Sequence, residues 1–328
     1  MTTSYDVLGI GNAIVDVLAH AEDEFLAANA LSKGTMTLID AASAEVLYEK
    51  MEPAVECSGG SAANSIAGLA SLGGTGAFIG KVKQDQLGTI FSHDIRALGI
   101  HFDTAPSVDG PSTARCLVFI TPDAQRTLQT YLGACVQLGP KDIDSDTVAA
   151  AKLTYLEGYL WDRPAAQQAF VKAAEIAHGA GRLVSLSLSD PFCVERHRDA
   201  FRDLVKGHVD VLFANEEEIK SLYRANTFDE ALQAVRVDCD IAALTRSEKG
   251  AVVVSPDELH VLDAEPIDKV VDTTGAGDAY AAGFLYGLTQ GMDLPRAGRI
   301  GAIAAAEVIS HFGARPETSL QGLVAEKF

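Results

Sequence analysis

Short apolar runs alternate with longer amphipathic stretches along most of this chain. Residues 7–11, 183–188, 209–213 and 241–245 have the length and composition of buried strands. Residues 164–180 and 216–223, which lie between such runs, have the pattern of helices. Parallel strands need a crossover between them, and helices placed on both faces cover the sheet. The order of elements therefore predicts an α/β fold with a doubly wound, mainly parallel sheet.

Strand patterns without an intervening helix interrupt this alternation. Residues 35–40 form a short apolar run, and residues 113–121 with 126–132 have the pattern of a hairpin, as do 251–255 with 259–262. We expect a small β-rich lid over one edge of the core, formed by inserted segments at about 15–40 and 112–132. Because we find no repeat and no linker rich in Pro, Gly and Ser, residues 1–328 are expected to form a single domain.

Charge and composition restrict the class of function. The formal net charge is −19, and such a surface repels phosphate backbones, so nucleic acid is not an expected partner. An anionic cosubstrate would need a local device such as a helix N-terminus or a metal ion. We find no apolar run of about 18 residues and no basic segment followed by an apolar one, so neither a membrane partner nor secretion is expected. Five cysteines without C-x-x-C spacing are typical of reduced thiols in a cytoplasmic protein.

The motif Asp272-Thr-Thr-Gly-Ala-Gly-Asp278 carries the clearest chemical signal. Small residues precede a helix-like stretch at 278–288, so the backbone can approach a ligand and the free N–H groups of the first helical turn can face it. Such donors suit a transferring phosphoryl group. Asp278 lies where the proton of a hydroxyl would have to be removed. The alternative is a glycine-rich helix start with Asp278 as a stabilising first-turn residue.

Other polar residues lie close to glycines or to the ends of predicted strands. Two glycines lead into a predicted helix of small residues at 61–72, where the amide of Asn64 could bind a polyol hydroxyl or could be solvated. Asp16 follows an apolar strand, where it could meet a polar ligand or simply occupy a turn. Asn215 and Glu218 follow another strand and could organise Mg²⁺ through water, or could begin an acidic helix.

Two nucleotide-binding fingerprints are incomplete. Ile14 occupies the third glycine position of the dinucleotide motif that begins at Gly9. Around Lys81, Thr75 and Val82 replace the first glycine and the Ser/Thr of a P-loop. These departures count against an NAD-dependent dehydrogenase and against a P-loop site.

Together the motifs resemble the ribokinase-like, or PfkB, family of carbohydrate kinases over essentially the whole chain. Residues 272–283 resemble the C-terminal signature of that family, and residues 59–74 its N-terminal signature. The resemblance implies a single kinase domain with a β lid, ATP and Mg²⁺ as cofactors, and Asp278 as the catalytic base. It also implies that the backbone of Gly275, Ala276 and Gly277 forms an anion hole. Some relatives bind a monovalent cation nearby, so K⁺ is a further candidate cofactor.

The resemblance assigns residues to ATP as well. The expected ATP-binding residues are Asn215, Thr245, Gly250, Thr274, His311 and Gly313, with Glu218 near Mg²⁺ through water. The sequence departs from the family pattern at Ser247, where glycine is common.

Within the family, the likeness is greatest to adenosine kinases. Gly11-Asn12 resembles their opening motif, in which the Asn reaches the purine, and Arg126 resembles a lid arginine that moves toward the phosphates. Tyr159, in place of the usual Phe, and Phe192 align with aromatic rings around the base, where a flat purine can stack. The alternative is that both rings belong to the ordinary core. The expected substrate-binding residues are Asn12, Asp16, Gly59, Gly60, Asn64, Leu132, Tyr159 and Phe192.

The sequence thus predicts transfer of the γ-phosphate of ATP to the 5′-hydroxyl of a nucleoside, with adenosine as the leading candidate and purine salvage as the setting. A kinase for ribose, fructose or another purine nucleoside is the first alternative, and a nucleoside-binding regulator without turnover is the second. The expected partners are the small-molecule acceptor and ATP. A monomer and a homodimer are both compatible with the sequence.

Overall fold

Thirteen strands and twelve α-helices make up the described part of the chain, residues 4–123 and 125–328, in this computed structural model. The strands are β1 (Tyr5–Ile10), β2 (Ile14–His20), β3 (Met36–Leu38), β4 (Val55–Gly59), β5 (Gly76–Ile79), β6 (Ala114–Ile120), β7 (Arg126–Tyr131), β8 (Ala151–Glu157), β9 (Leu183–Ser187), β10 (Val211–Asn215), β11 (Ile241–Thr245), β12 (Ala251–Val254) and β13 (Leu259–Leu262). The helices are α1 (Asp23–Ala28), α2 (Ala41–Lys50), α3 (Ser61–Ser71), α4 (Gln86–Ala97), α5 (Ser145–Ala150), α6 (Pro164–Gly179), α7 (Pro191–His208), α8 (Glu216–Tyr223), α9 (Phe228–Asp238), α10 (Ala276–Thr289), α11 (Leu294–Val308) and α12 (Leu320–Lys327). Within the described ranges, no helix combines the length and apolar character that crossing a bilayer requires.

The central sheet has eight strands in the order β13-β12-β11-β10-β9-β8-β1-β5. The pairs from β11 across to β5 are parallel, whereas β12 and β13 add an antiparallel hairpin at one edge. This arrangement confirms the doubly wound α/β prediction and the second hairpin. Because β1 lies between β5 and β8, the winding direction reverses there, and a crevice opens at the carboxyl ends of these strands.

Side chains alternate between the two faces of the central sheet. Leu8, Leu156 and Leu212 belong to the apolar cluster on the face covered by α5 to α9. Val7, Tyr155, Phe213 and other alternate residues belong to the opposite cluster, which α3, α4 and α10 cover. The period of two is that of a strand buried on both faces, and each fully buried large side chain contributes about 1.5–3 kcal/mol.

A second sheet of five strands, in the order β3-β7-β6-β2-β4, forms the lid. Its β6–β7 hairpin is antiparallel, as the pattern at 113–132 predicts. Strand β4 was not predicted as part of the lid, since it lies outside the two expected inserted segments. It pairs antiparallel with β2. Its sequence, Val-Glu-Cys-Ser-Gly, has only one β-branched residue and ends in glycine, so its strand propensity is weak.

Two short connections join the lid sheet to the central sheet. Residues 11–13 run from β1 to β2, and Gly60 alone separates β4 from α3. A Cβ added at Gly60 would collide with the carbonyl oxygen of Asn12, so the two connections touch. Gly60 also has φ 102°, a conformation that favours glycine.

Helix α10 packs closely on α11 and α3 through small residues. A Cβ on Gly283 would lie 2.6 Å from the backbone nitrogen of Gly301, and one on Gly287 would lie 2.6 Å from Cα of Ala297. A Cβ on Gly68 of α3 would lie 2.8 Å from Ala282 Cβ. The start of α10, which carries Asp278, is therefore held at a fixed place at the edge of the central sheet.

Candidate active site

A cavity of about 1260 Å³ lies between the two sheets, at the carboxyl ends of the central strands. The structure brings most of the predicted site residues together on its wall. These are Asn12, Asp16, Gly60, Asn64, Leu132, Tyr159, Phe192, Asn215, Glu218, Thr245, Gly250, Thr274, Gly275, Ala276, Gly277 and Asp278. Such a volume is sufficient for two drug-sized ligands side by side.

The Asp278 carboxylate is held in the first turn of α10 by two side chains of α3. Ser61 Oγ donates to Asp278 Oδ1 at 2.6 Å, and Asn64 Nδ2 donates to Asp278 Oδ2 at 3.3 Å. Burial raises the pKa of Asp278 to about 6, while these two hydrogen bonds act to lower it. The group is therefore ionised at neutral pH but has a higher proton affinity than a solvated carboxylate.

Free backbone donors surround the start of α10. Gly275 precedes the helix with φ 78° and provides no side-chain cap, and among the described residues no acceptor bonds to the N–H groups of Gly277 and Asp278. A Cβ on Gly277 would have no heavy atom within 4 Å, so the space above it is open. These donors and the positive end of the helix dipole can bind an anionic oxygen.

Asp16 presents an unpaired carboxylate to the cavity. It lies on β2 between Cys57 of β4 and Cys116 of β6, and no described residue donates a hydrogen bond to it. A Cβ at Gly59 would collide with the Asp16 carboxyl group, which explains the glycine there. Burial raises the pKa of Asp16 to about 6. A carboxylate with both oxygens free can accept hydrogen bonds from two hydroxyl groups.

Glu157 is a site residue that the sequence analysis missed. It ends β8, is only 1% exposed and lines the cavity. Its carboxylate accepts hydrogen bonds from Asn12 Nδ2 at 2.6 Å, from Asn12 N at 3.3 Å and from Ala62 N at 2.8 Å. Burial raises the pKa of Glu157 to about 7. Its position after the apolar run at 153–156 is the same signal that identified Asp16.

Asn215 and Glu218 form the capping box of α8 at the cavity wall. Asn215 Oδ1 accepts from Glu218 N at 2.9 Å, while Asn215 N and Nδ2 donate to the Glu218 carboxylate at 3.0 and 2.6 Å. The helix-start interpretation therefore holds for this pair. Burial raises the pKa of Glu218 to about 7. Within the described ranges, no group of three or more His, Cys, Asp or Glu side chains is arranged to hold a metal ion.

The loop after β11 shows why glycine is favoured at the position of Ser247. Ser247 has φ 52°, a left-handed conformation that is easier for glycine than for serine. Gly250, at φ 79°, has no room for a Cβ, which would collide with the carbonyl oxygen of Leu262. Thr245, at the end of β11, and Gly250 both line the cavity.

Four predicted site residues do not line the cavity: Gly59, Arg126, His311 and Gly313. Arg126 Nη1 pairs with Asp272 Oδ2 at 2.9 Å, with both side chains largely buried. The Gly313 N–H donates to the same oxygen at 3.2 Å. His311 Nε2 lies 3.1 Å from Glu307 Oε2. The contacts of Arg126 and Gly313 hold Asp272 in the loop before α10, and the contact of His311 joins the segment after α11 to that helix.

Two aromatic rings are exposed in the cavity. Tyr159 is 39% exposed and Phe192 is 70% exposed, so neither belongs to the ordinary core. Tyr159 follows β8, and Phe192 lies in the first turn of α7, where Asp190 caps the helix by accepting from the Phe192 N–H at 2.7 Å. The lid sheet adds apolar side chains to the same cavity, namely Met36, Leu38, Leu128 and Leu132.

Comparison with known proteins assigns the family. The profile described as pfkB family carbohydrate kinase matches residues 34–320. This chain belongs to the pfkB family of carbohydrate kinases. The chain is 30% identical over 326 residues to an adenosine kinase of Saccharomyces cerevisiae, a match that covers 93% of this chain and 94% of the relative.

Two solved structures of pfkB-type proteins are more similar. One is adenosine kinase from Sinorhizobium meliloti, at 52% identity and a TM-score of 0.91, covering 99% of this chain and 100% of the other. The second is a probable sugar kinase from Rhizobium etli, also at 52% identity and a TM-score of 0.91, covering 99% of each chain. The pfkB kinase described here is therefore a phosphotransferase with an alcohol acceptor, of the sugar and nucleoside kinase type, and it uses ATP.

Proposed function

We propose that this kinase transfers the γ-phosphate of ATP to the 5′-hydroxyl of adenosine, giving AMP and ADP. The observation that carries the proposal is the combination of exposed aromatic rings, Tyr159 and Phe192, with the carboxylates Asp16 and Asp278 in one cavity. A purine nucleoside has both a flat apolar face and ribose hydroxyls, whereas a free sugar has no flat face to stack. The similarity to adenosine kinases supports this choice.

In the proposed reaction, Asp278 accepts the proton of the 5′-hydroxyl as its oxygen bonds to the γ-phosphorus. The bond from that phosphorus to the β-phosphate oxygen breaks, and ADP leaves. The free N–H groups of Gly277 and Asp278 donate hydrogen bonds to the phosphoryl oxygens as their charge changes. The two free oxygens of Asp16 accept hydrogen bonds from two ribose hydroxyls, which fixes the acceptor relative to Asp278.

The ATP side of the proposal uses the wall near Thr245, Gly250 and Thr274. Mg²⁺ would supply positive charge to the phosphates, and Glu218, whose carboxylate accepts two hydrogen bonds from Asn215, would hold it through water. Arg126 would have to leave Asp272 in order to reach the phosphates. A requirement for K⁺, purine salvage as the setting and a cytoplasmic location stay predictions.

A kinase for a free sugar is the second candidate. It is favoured by the unpaired Asp16 carboxylate, which suits any vicinal diol, and by the similarity to a probable sugar kinase. A regulator without turnover is less well supported, because Asp278 keeps both of its hydrogen-bond donors, Ser61 and Asn64.

The test is ADP release by the purified protein with Mg·ATP and one acceptor at a time: adenosine, guanosine, inosine, ribose, fructose or none. We expect a strong preference for adenosine over both free sugars. Activity with ribose or fructose and none with nucleosides would contradict the nucleoside proposal while leaving Asp278 as the proposed base. No ADP release with any acceptor would favour the regulator.

A further inference from the structure

Arg315 reaches from the segment after α11 to the residues around Asp278 and Asp16. Its Nε donates to Asn64 Oδ1 at 3.2 Å, and its Nη1 lies 3.3 Å from Asp94 Oδ2. The side chain is 20% exposed. The preceding residue, Ala314, lies directly against Gly275, since a Cβ there would be 2.6 Å from Ala314 Cα. One short segment thus contacts both the start of α10 and α3.

The contact with Arg315 determines which end of the Asn64 amide faces Asp278. A guanidinium group can only donate hydrogen bonds, so it fixes the amide oxygen on its own side. The amide nitrogen is then directed to Asp278 Oδ2, at 3.3 Å. The reverse orientation would bring the amide oxygen against the carboxylate, where two acceptors repel each other.

Asp94 fixes Arg315 from the other side. The Asp94 Oδ2 atom that pairs with Arg315 also accepts from Ser58 N at 2.7 Å and from Ser58 Oγ at 2.6 Å. Ser58 belongs to β4 of the lid and Asp94 to α4, so the Asp94 carboxylate links β4 to the guanidinium group. Because Asp94 already restrains the guanidinium group, Arg315 loses little conformational entropy when it orients Asn64.

The positive charge of Arg315 also acts on Asp16. Burial and the charge of Asp278 raise the pKa of Asp16, whereas Arg315 and, to a smaller extent, Arg126 lower it. The flanking Cys57 on β4 and Cys116 on β6 have pKa values raised by burial and stay neutral thiols. Loss of the Arg315 charge would therefore move the pKa of Asp16 further upward.

We propose that Arg315 is a positioning residue of this kinase, which holds the Asn64 amide against Asp278. The inference rests on the proposed function, in which Asp278 is the base and Asp16 binds acceptor hydroxyls. Arg315 contacts neither the acceptor nor ATP in this role. It acts through Asn64 on the turnover rate.

Two substitutions of Arg315 separate the effect of its contact with Asn64 from the effect of its positive charge. Arg315→Lys keeps the charge, but its single ammonium nitrogen cannot reach both Asn64 and Asp94 as the separate guanidinium nitrogens do. We therefore expect kcat to fall about 10-fold, as happens when reacting groups are slightly misplaced. The acidic limb of the pH profile of kcat/KM for the acceptor should stay in place. Arg315→Gln removes the charge, so the acidic limb should move to higher pH as Asp16 becomes harder to ionise, together with a similar fall in kcat. Arg296→Gln is the control, because Arg296 is 67% exposed and its ion-pair partner among the described residues is Asp293.

Wild-type kcat together with an unmoved acidic limb in Arg315→Gln would overturn the proposal. If either variant fails to fold, Asp94→Asn provides the test, because it keeps Arg315 and weakens its anchor. A several-fold fall in kcat is then expected, and an unchanged kcat would count against the role. Asp278→Asn distinguishes this inference from the proposed function. Full activity in Asp278→Asn would show that Asp278 is not the base. If Asp278→Asn is inactive and Arg315→Gln has the wild-type kcat, only the role of Arg315 is rejected.

Discussion

Four carboxyl groups on the cavity wall hold their protons more tightly than free Asp and Glu. Burial raises the pKa of Asp16 and Asp278 to about 6 and that of Glu157 and Glu218 to about 7. A raised pKa in the folded state contributes stability below the unfolded pKa, and this contribution is lost as pH rises through the folded pKa. The ionised site therefore destabilises the folded protein at neutral pH, and packing elsewhere must offset this cost.

The Asp278→Asn substitution tests both the contribution of this carboxylate to activity and its cost in stability. We expect kcat to fall at least ~100-fold, because the amide cannot take the hydroxyl proton. In the wild-type protein, kcat should decline as pH falls below about 6, where Asp278 becomes protonated. Steady-state kinetics with Mg·ATP and adenosine measure both. Asp199→Asn, at an exposed position, should keep the wild-type rate.

The same variant should be more stable than the wild type above the pKa of Asp278, because a neutral amide replaces a buried charge. The gain should disappear as pH is lowered toward the unfolded value of 3.8. Thermal unfolding at several pH values checks this expectation. A variant less stable than the wild type at high pH would show that the Ser61 and Asn64 hydrogen bonds outweigh the cost of burial.

Local sequence patterns indicate part of the site and cannot indicate the rest. Asp16 and Asp278 were identified from the sequence, because Asp16 follows a predicted strand and Asp278 a glycine-rich turn, although the structure places Asp16 within β2. Glu157 was missed although it follows the strand-like residues 153–156, and Arg315 was missed because its partners are distant in sequence. Ala62 is 95 residues from Glu157, and Asn64 is 251 residues from Arg315. Such contacts exist only after the sheets have formed, so no local pattern contains them.

At the scale of elements, the two edge strands of the lid have different roles. Leu38 on β3 is 57% exposed and lines the cavity, whereas Val55 on β4 is 67% exposed and lies outside it. We expect Leu38→Ser to raise KM for the nucleoside about 10-fold through lost apolar contact. Val55→Ser should leave KM unchanged. Because both side chains are exposed in the free protein, neither substitution should alter stability by much. Equal KM values in the two variants would contradict a role of the lid in acceptor binding.

The close contact between α10 and α11 is a second element-scale feature. A methyl group on Gly283 would lie 2.6 Å from both Gly301 N and Ile300 O, and these backbone atoms cannot move independently. Gly283→Ala should destabilise the protein by about 1–3 kcal/mol, as overpacking does. Gly179→Ala, at the end of α6, has no heavy atom within 4 Å of the added Cβ and should be neutral or slightly stabilising. Urea unfolding of the two variants measures the difference.

Elements with a strong pattern were correctly predicted, and elements with a weak pattern were not. Helix α8 and strand β11 have the predicted bounds, and the β6–β7 hairpin forms as expected. Strand β4 was missed because its strand state comes from pairing with β2, across about 40 residues of chain, rather than from its own propensity.

At the scale of the whole molecule, the formal net charge of −19 opposes the approach of ATP. Added salt screens this repulsion, so kcat/KM for ATP should rise several-fold between about 10 and 150 mM NaCl. The same constant for adenosine, which is uncharged, should change little. Steady-state kinetics at fixed Mg²⁺ provide the comparison. A fall in kcat/KM for ATP with added salt would mean that the local field of the cavity outweighs the net charge.

The two touching connections between the sheets, residues 11–13 and Gly60, anchor one end of the lid. A rotation of the lid about these connections would displace its distant strands more than the residues beside them. Asp16 lies three residues beyond the first connection, while β3 lies three strands away from β2. We therefore expect the end of the cavity near Asp16 to move less than the end under β3. An acceptor altered at its diol should be rejected, whereas one enlarged at the opposite end has room to be accommodated.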